Sequence, residues 1–313
     1  MRDPAAAGQA GTGATGTALA GTGVSSALLE LDAICKSFGK VVVADNLSLR
    51  VGAGDLIGIV GPNGAGKSSL FGLIAGDLAP ASGEIRFAGA SVTRKDAAAR
   101  CRLGIGRTFQ VPKPFGGMTV FENVLVAVQQ GGGLRRRGSY AAAAEVLDRT
   151  GLAADANAPA ERLGLLSRKR LEVARALATR PKLLLLDEVA GGLTDPEVAQ
   201  LAGIVRAISA DGVAIVWIEH VVHALTATVS RLLCLASGAI IGDGAPDEVL
   251  ALPAVREVFL GTEVSAELHA ASASPADAGG ADAGTVDAGP VDADPADAGP
   301  VDASNIPAGQ EPA

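Results

Sequence analysis

The chain has 313 residues, 48% of them hydrophobic but only 3% aromatic, with 41 glycines, so it can bury a sizeable core packed chiefly from Ala, Val, Leu and Ile. Its formal charge of -8 comes from one end: from Ala270 onward there are seven Asp and one Glu and no Lys or Arg, and the remaining 26 acidic residues match the 26 basic ones. That balance excludes an overall basic field for a phosphate backbone, and the scarcity of aromatics argues against base-stacking platforms.

No apolar run reaches the about 20 residues that cross a bilayer, and residues 1–16 lack the apolar centre of a secretory signal. Cys35, Cys101 and Cys234 are an odd, scattered set that fits a reduced, cytoplasmic setting.

In chain order, residues 1–26 are Ala, Gly and Thr without apolar periodicity and read as a disordered leader. Apolar segments at 28–34, 41–51 and 85–87 read as strands broken by Gly-rich turns. Leu56 to Val60, Leu183 to Leu186 and Ala214 to Ile218 are continuously apolar, as parallel strands covered on both faces should be. Helical spacing marks Lys67 to Ala75, Thr119 to Gln129, Tyr140 to Thr150, Arg168 to Ala178 and Pro196 to Ala210, and the stretch from about 93 to 178 reads as mainly helical. Arg135-Arg136-Arg137 is the one local basic cluster and reads as a solvated loop. From residue 262 to 313 the composition turns to an acidic Asp/Ala/Gly/Pro repeat, expected to stay disordered. The whole predicts an α/β core at 27–261 with a helical subdomain at about 93–178.

Gly61-Pro62-Asn63-Gly64-Ala65-Gly66-Lys67-Ser68, followed by Ser69, matches the phosphate-loop (Walker A) pattern, follows one of the buried strands and opens a helix. Its glycines let consecutive N–H groups face a phosphate at the helix N-terminus, Lys67 supplies the charge and Ser68 a ligand for Mg2+. Asp187 and Glu188 follow four leucines, at the strand end where open sheets bind ligands. Asp187 there suits the magnesium shell, and Glu188 suits orienting or deprotonating an attacking water (Walker B).

Over about residues 28–260 these features resemble the ATPase subunits of ABC transporters. The resemblance implies a P-loop NTPase (RecA-like) core with an antiparallel β subdomain and an inserted α-helical subdomain, binding ATP and Mg2+. It further implies that Gln110, in Gly-Arg-Thr-Phe-Gln, contacts the metal or water, that His220 contacts the γ-phosphate, and that Phe38 stacks on adenine. The stretch from Gly104 to Phe115, followed by Met-Thr-Val-Phe-Glu-Asn-Val-Leu, is similar to the importer branch for branched-chain amino acids, a look shared by urea and amide importers. His223 has no motif position and reads as structural.

The family's signature loop departs from its pattern. Leu163-Gly164-Leu165-Leu166-Ser167 stands where Leu-Ser-Gly-Gly-Gln or a close variant is expected, removing a hydroxyl donor and crowding the backbone. Ser167 is a candidate helix cap or substitute donor. Val189 and Thr194 are smaller departures, from the usual proline and from the usual Asp or Asn.

The resemblance implies partners: transmembrane permease subunits, a second ATPase subunit as a heterodimer or a second copy as a homodimer, and, indirectly, a periplasmic or extracellular solute-binding protein. It implies no nucleic acid and a place on the inner face of the cell membrane. Two other readings compete. One is a regulatory nucleotide-binding subunit of weak turnover, kept open by the altered signature. The other is a soluble non-transport ABC ATPase; such proteins commonly carry tandem ATPase domains or long coiled coils, whereas here there is one phosphate loop and no sustained heptad run.

Overall fold

The structure is a computed structural model that describes residues 27–110, 113–134, 137–220 and 222–259. The expected leader at 1–26, most of the basic cluster and the acidic repeat lie outside the described residues.

Two sheets carry the architecture. β1 (Leu29–Phe38), β2 (Val41–Val51), β4 (Ser82–Phe87) and β5 (Ala90–Ser91) form an antiparallel sheet in the order β2-β1-β4-β5. β3 (Leu56–Val60), β6 (Ile105–Arg107), β7 (Leu183–Asp187), β8 (Ala214–Ile218), β9 (Arg231–Ala236) and β10 (Ala239–Gly244) form the larger sheet, ordered β10-β9-β3-β8-β7-β6. It is parallel except for β10, which returns antiparallel to β9.

The unbroken apolar runs of β3, β7 and β8 follow from this position. Every residue of these strands is buried, and successive side chains point to opposite faces. Leu183, Leu185, Val216 and Ile218 join one core, shared with the antiparallel sheet and with Leu70, Phe71 and Ile74 of α1 (Lys67–Ala75). Leu184, Leu186, Ile215 and Trp217 join the other. That second core also holds residues of α3 (Val120–Gln130), α4 (Arg137–Arg149), α5 (Leu165–Ala178) and α6 (Asp195–Ala210). Burying each such leucine is worth about 1.5–3 kcal/mol, so a polar substitution on either face undermines one of the two layers.

The stretch at 93–178 is not helical throughout. After α2 (Ala97–Leu103), Ile105–Arg107 adds β6 to the sheet edge beside β7, and only α3 to α5 form a helical layer. β6 has three residues and its middle one is Gly106, too short a signal for a period of two to register. The apolar run from Arg231 likewise divides into β9 and β10 around Ser237 and Gly238, with α7 (Val222–Thr226) before it and α8 (Pro246–Ala251) after it.

The helices begin where local chemistry satisfies their free N–H groups. Thr119 with Glu122, and Thr194 with Glu197, form reciprocal capping boxes at α3 and α6. Thr194 thus serves the start of α6. Arg100, nearly fully buried, donates to the carbonyls of Ile74, Lys95 and Thr93, and also to that of Leu73, closing the C-terminal end of α1.

The turn from β3 into α1 passes so close to its neighbours that two positions admit only glycine. Gly61 has φ 152°, and a Cβ there would stand 2.1 Å from the Leu235 carbonyl oxygen of β9; Gly66 has φ 102° and would stand 2.4 Å from that of Val43. Gly61→Ala is therefore expected to lower stability by about 2 kcal/mol or more, from backbone strain plus displacement of β9. Urea melts of the two proteins measure the difference, and an unchanged midpoint would contradict this packing.

Candidate active site

The loop Gly61–Gly66 leaves β3 and turns into α1 with its own hydrogen bonds: Ala65 N donates to Pro62 O at 3.2 Å and Gly238 N to Ala65 O at 3.1 Å. The helix dipole and the free N–H groups of its first turn face the loop, which suits an anion. Lys67, 6% exposed, folds back so that Nζ donates to Gly61 O at 2.7 Å and Pro62 O at 2.9 Å. Burial lowers its pKa, while the carboxylates of Glu188 and Asp187 favour its charge.

This loop forms one wall of a cleft of about 370 Å³ lined by Val41, Val43, residues 63–69, Gln110, Glu188 and His220. Residues more than a hundred positions apart thus share one surface. The Glu188 carboxylate joins them: Gln110 Nε2 donates to Oε2 at 2.5 Å, and His220 Nε2 lies 2.6 Å from Oε1. Glu188 itself has φ 49°, a left-handed conformation uncommon for a residue with a Cβ. Its amide donates to Ile218 O at 2.9 Å, and its carbonyl accepts from Lys169 Nζ at 3.1 Å. Backbone strain of this kind persists where the surroundings over-determine it, commonly at functional sites.

Asp187 ends β7 and is 2% exposed. Its amide donates to Thr108 Oγ1 at 3.0 Å, and its Oδ2 accepts from Arg107 Nη2 at 3.0 Å. Burial raises its pKa, and the hydrogen bond and charge of Arg107 oppose the rise. Its Oδ1 is buried without a hydrogen-bond partner, an orphaned acceptor of the kind a hard cation or its bound water would use. Among the described residues no group of three or more His, Cys, Asp or Glu side chains could hold a metal ion.

The structure brings Asn63 to Ser69, Gln110, Glu188 and His220 to the cleft, with Gly61, Pro62 and Asp187 behind it. Phe38 is not part of the lining. It is 50% exposed, lies beneath the Lys36 ammonium at 5.2 Å, and is the cross-strand neighbour of Val41, which does line the cleft. Leu163, Gly164, Leu165, Leu166 and Ser167 are also outside that lining, at the start of α5. Gly164 is the N-cap residue and no side chain caps the helix, so Ser167, already inside the first turn, is not the cap. Leu165 stays 46% exposed, beside Gly192. His223 lies 3.5 Å from Asp195, both well exposed, a pair of little energetic weight.

Three charged residues at the site escaped the sequence reading. Arg107, two places after Ile105 in the stretch already singled out, bridges Asp187 and Asp77 and stacks over Phe109. Lys169 reaches the site from α5. Glu219, directly before His220, is 1% exposed, and its Oε1 accepts from Ala190 N at 2.6 Å and Trp217 Nε1 at 3.0 Å. Adjacency to His220 was a usable signal for Glu219; for Lys169 there was none, because a lysine in a helical first turn ordinarily points to solvent.

Residues 44–191 match the family model described as ABC transporter. A high-affinity branched-chain amino acid transport ATP-binding protein, LivG, of Salmonella typhimurium is 31% identical over 253 residues, covering 76% of this chain and 99% of the relative. The lipopolysaccharide export system ATP-binding protein LptB of Acidithiobacillus ferridurans is 31% identical over 238 residues, covering 76% and 98%. The crystal structure of the ADP conformation of an ATP-binding cassette of an ABC transporter superposes with a TM-score of 0.70 at 29% identity, covering 75% of this chain and 99% of that one. The chain belongs to the ABC transporter family of ATP-binding subunits and has the P-loop fold of its ATPases. None of its helices, among the described residues, is long and apolar enough to cross a membrane.

Burial pushes the Glu219 carboxyl up to about 7, against hydrogen bonds from Ala190 and Trp217 and the charge of Lys169. The folded state thus favours the protonated form, so this stabilisation is present at low pH and is lost as pH rises through about 7. Between pH 5 and 8 the wild type should lose on the order of 2 kcal/mol more stability than Glu219→Gln, whose amide keeps an oxygen for both donors. Parallel pH slopes for the two proteins in urea melts would refute this.

Proposed function

We propose that the chain is the ATP-hydrolysing subunit of an importer for branched-chain amino acids or a related small polar solute. The observation that carries the hydrolytic part is the Glu188 carboxylate, held by Gln110 and His220 across the cleft from Lys67 and Ser68. The importer part is supported by the LivG relative and by the resemblance of residues 104–125 to that branch.

In this reading the N–H groups of the loop 61–69 cradle the β-phosphate, and Lys67 exchanges its two loop carbonyls for β- and γ-phosphate oxygens. Ser68, Gln110 and Asp187 are the residues that would hold Mg2+, which when bound neutralises charge on the β- and γ-oxygens. Glu188 orients the attacking water and accepts its proton as the new P–O bond forms and the bond to the leaving ADP oxygen breaks. His220 holds the carboxylate from one side and contacts the γ-phosphate from the other. The hairpin end at Phe38 and Val41 is the proposed flank for adenine.

A second reading, weak turnover in a regulatory subunit, is favoured by one observation. At the N-terminus of α5 Gly164 offers no hydroxyl, and Leu166 stands at the position whose usual glycine lets a phosphate approach. Pairing with a different ATPase that has an intact signature loop would leave the nucleotide on Lys67 in a complete composite site. The proposed setting is peripheral, on the cytoplasmic face of the membrane, against permease subunits that receive solute from a binding protein.

Lys67→Ala should weaken Mg-ATP binding about tenfold or more, the worth of a charge-assisted hydrogen bond. Glu188→Gln should bind Mg-ATP as the wild type does but hydrolyse it at least about 100-fold more slowly. Calorimetric titration and phosphate release measure the two, and equal hydrolysis by Glu188→Gln and wild type would remove Glu188 as the base. Candidate solutes are distinguished by which of them stimulates ATPase activity in the complex copurified with its membrane subunits; stimulation by none of the branched-chain amino acids, urea or amides would reject the importer assignment.

A further inference from the structure

We propose that Lys169 is a positioning residue for hydrolysis, an ammonium delivered from α5 that fixes the backbone of Gln110 and Glu188 so that their side chains meet. The inference rests on the reading of Glu188 as the base. Lys169 is 5% exposed, and its Nζ donates to Glu188 O at 3.1 Å and, more weakly, to Gln110 O at 3.4 Å. These carbonyls belong to the two residues whose side chains form the Gln110–Glu188 hydrogen bond, 78 positions apart in sequence. One cation therefore ties the backbone beneath both partners of that contact, and it comes from a third element, α5.

Two features set this apart from ordinary packing. Glu188 sits in the left-handed region, and its carbonyl accepts from the Gly191 amide only at 3.4 Å, while Lys169 Nζ reaches it at the shorter 3.1 Å. The ammonium is also within electrostatic reach of the buried carboxylate of Glu219, whose Oε1 accepts from the amide of Ala190, two residues beyond Glu188. Lys169 and Glu219 thus bracket the turn at 188–190, one from its carbonyl side and one from its amide side. Trp217, the only tryptophan in the chain, is fully buried and donates to that same Glu219 oxygen. Its emission is a built-in report on the bracket.

The test uses the full chain and compares Lys169→Met, which keeps the length of the side chain without its charge, with Lys169→Arg, which returns donors to both carbonyls. Lys169→Met is expected to lower kcat for Mg-ATP about 10- to 100-fold, the usual consequence of a small misplacement of a reacting group, with KM changed by no more than about threefold. Lys169→Arg should recover most of that rate. The Trp217 emission maximum should shift in Lys169→Met and return in Lys169→Arg, a readout that needs no turnover. Adding Lys169→Met to Glu188→Gln should cost little further rate, because the lysine acts through the glutamate.

The proposal is overturned if folded Lys169→Met turns over like the wild type, if its Trp217 emission is unchanged, or if kcat and KM deteriorate together without rescue by arginine. Failure of the underlying reading looks different: Glu188→Gln would then hydrolyse at the wild-type rate whatever residue occupies position 169. An inactive Glu188→Gln beside a fully active Lys169→Met leaves the base in place and removes only the role of the lysine.

Discussion

The turn at Glu188 is the constraint on which the site depends. β7 carries four leucines through the sheet between β6 and β8 with both faces covered, and a strand so enclosed has no freedom to slip in register. Its end is therefore fixed, and the chain must leave it abruptly. It does so by placing Asp187 under cover and turning Glu188 into the left-handed region, with φ 49°. The amide of Glu188 is claimed by Ile218 of β8, its carbonyl by Lys169, and its carboxylate by Gln110 and His220. A conformation that would be unfavourable in isolation by about 1–3 kcal/mol is thus over-determined by three neighbouring elements.

Around that turn the site concentrates buried charge. Lys67, Asp187, Lys169 and Glu219 are all nearly buried, and each is paired rather than solvated. Burial moves every one of them toward neutrality, lowering the two lysines and raising the two acids, and each shift is opposed by partners of opposite charge. Such an arrangement costs stability and is held together by its hydrogen bonds. It also means that a group entering the cleft meets prepaid electrostatics: donors and acceptors whose solvent has already been removed.

Much of this was legible in the sequence because it is written in contiguous segments. The three apolar runs, the loop from Gly61 to Ser68 and the pair Asp187-Glu188 each carry their meaning within eight residues, and they fold as strand, turn and strand end. Gln110 and His220 were named through resemblance alone, and their convergence on one carboxylate is a property of the sheet order, which puts β6, β7 and β8 side by side. What escaped is what depends on distant partners. Arg107 finds Asp187 across 80 residues and Lys169 finds Glu188 across 19, and no periodicity encodes either. Phe38 and Ser167 stand one step from the places first expected: Val41, across the strand from Phe38, takes the cleft wall, and α5 begins before Ser167, so that Ser167 is not its cap.

The central claim is convergence: Lys67, Ser68, Gln110, Asp187, Glu188 and His220 surround one magnesium-bound triphosphate. A crystal structure of the full chain with Mg2+ and a non-hydrolysable ATP analogue tests it most directly. The account predicts the triphosphate in the cleft beside residues 63–69, Lys67 Nζ transferred from the Gly61 and Pro62 carbonyls to phosphate oxygens, and the orphaned Asp187 Oδ1 turned to the metal or its water. A nucleotide bound elsewhere, or a filled cleft in which Gln110, Glu188 and His220 point away from the γ-phosphate, would contradict it.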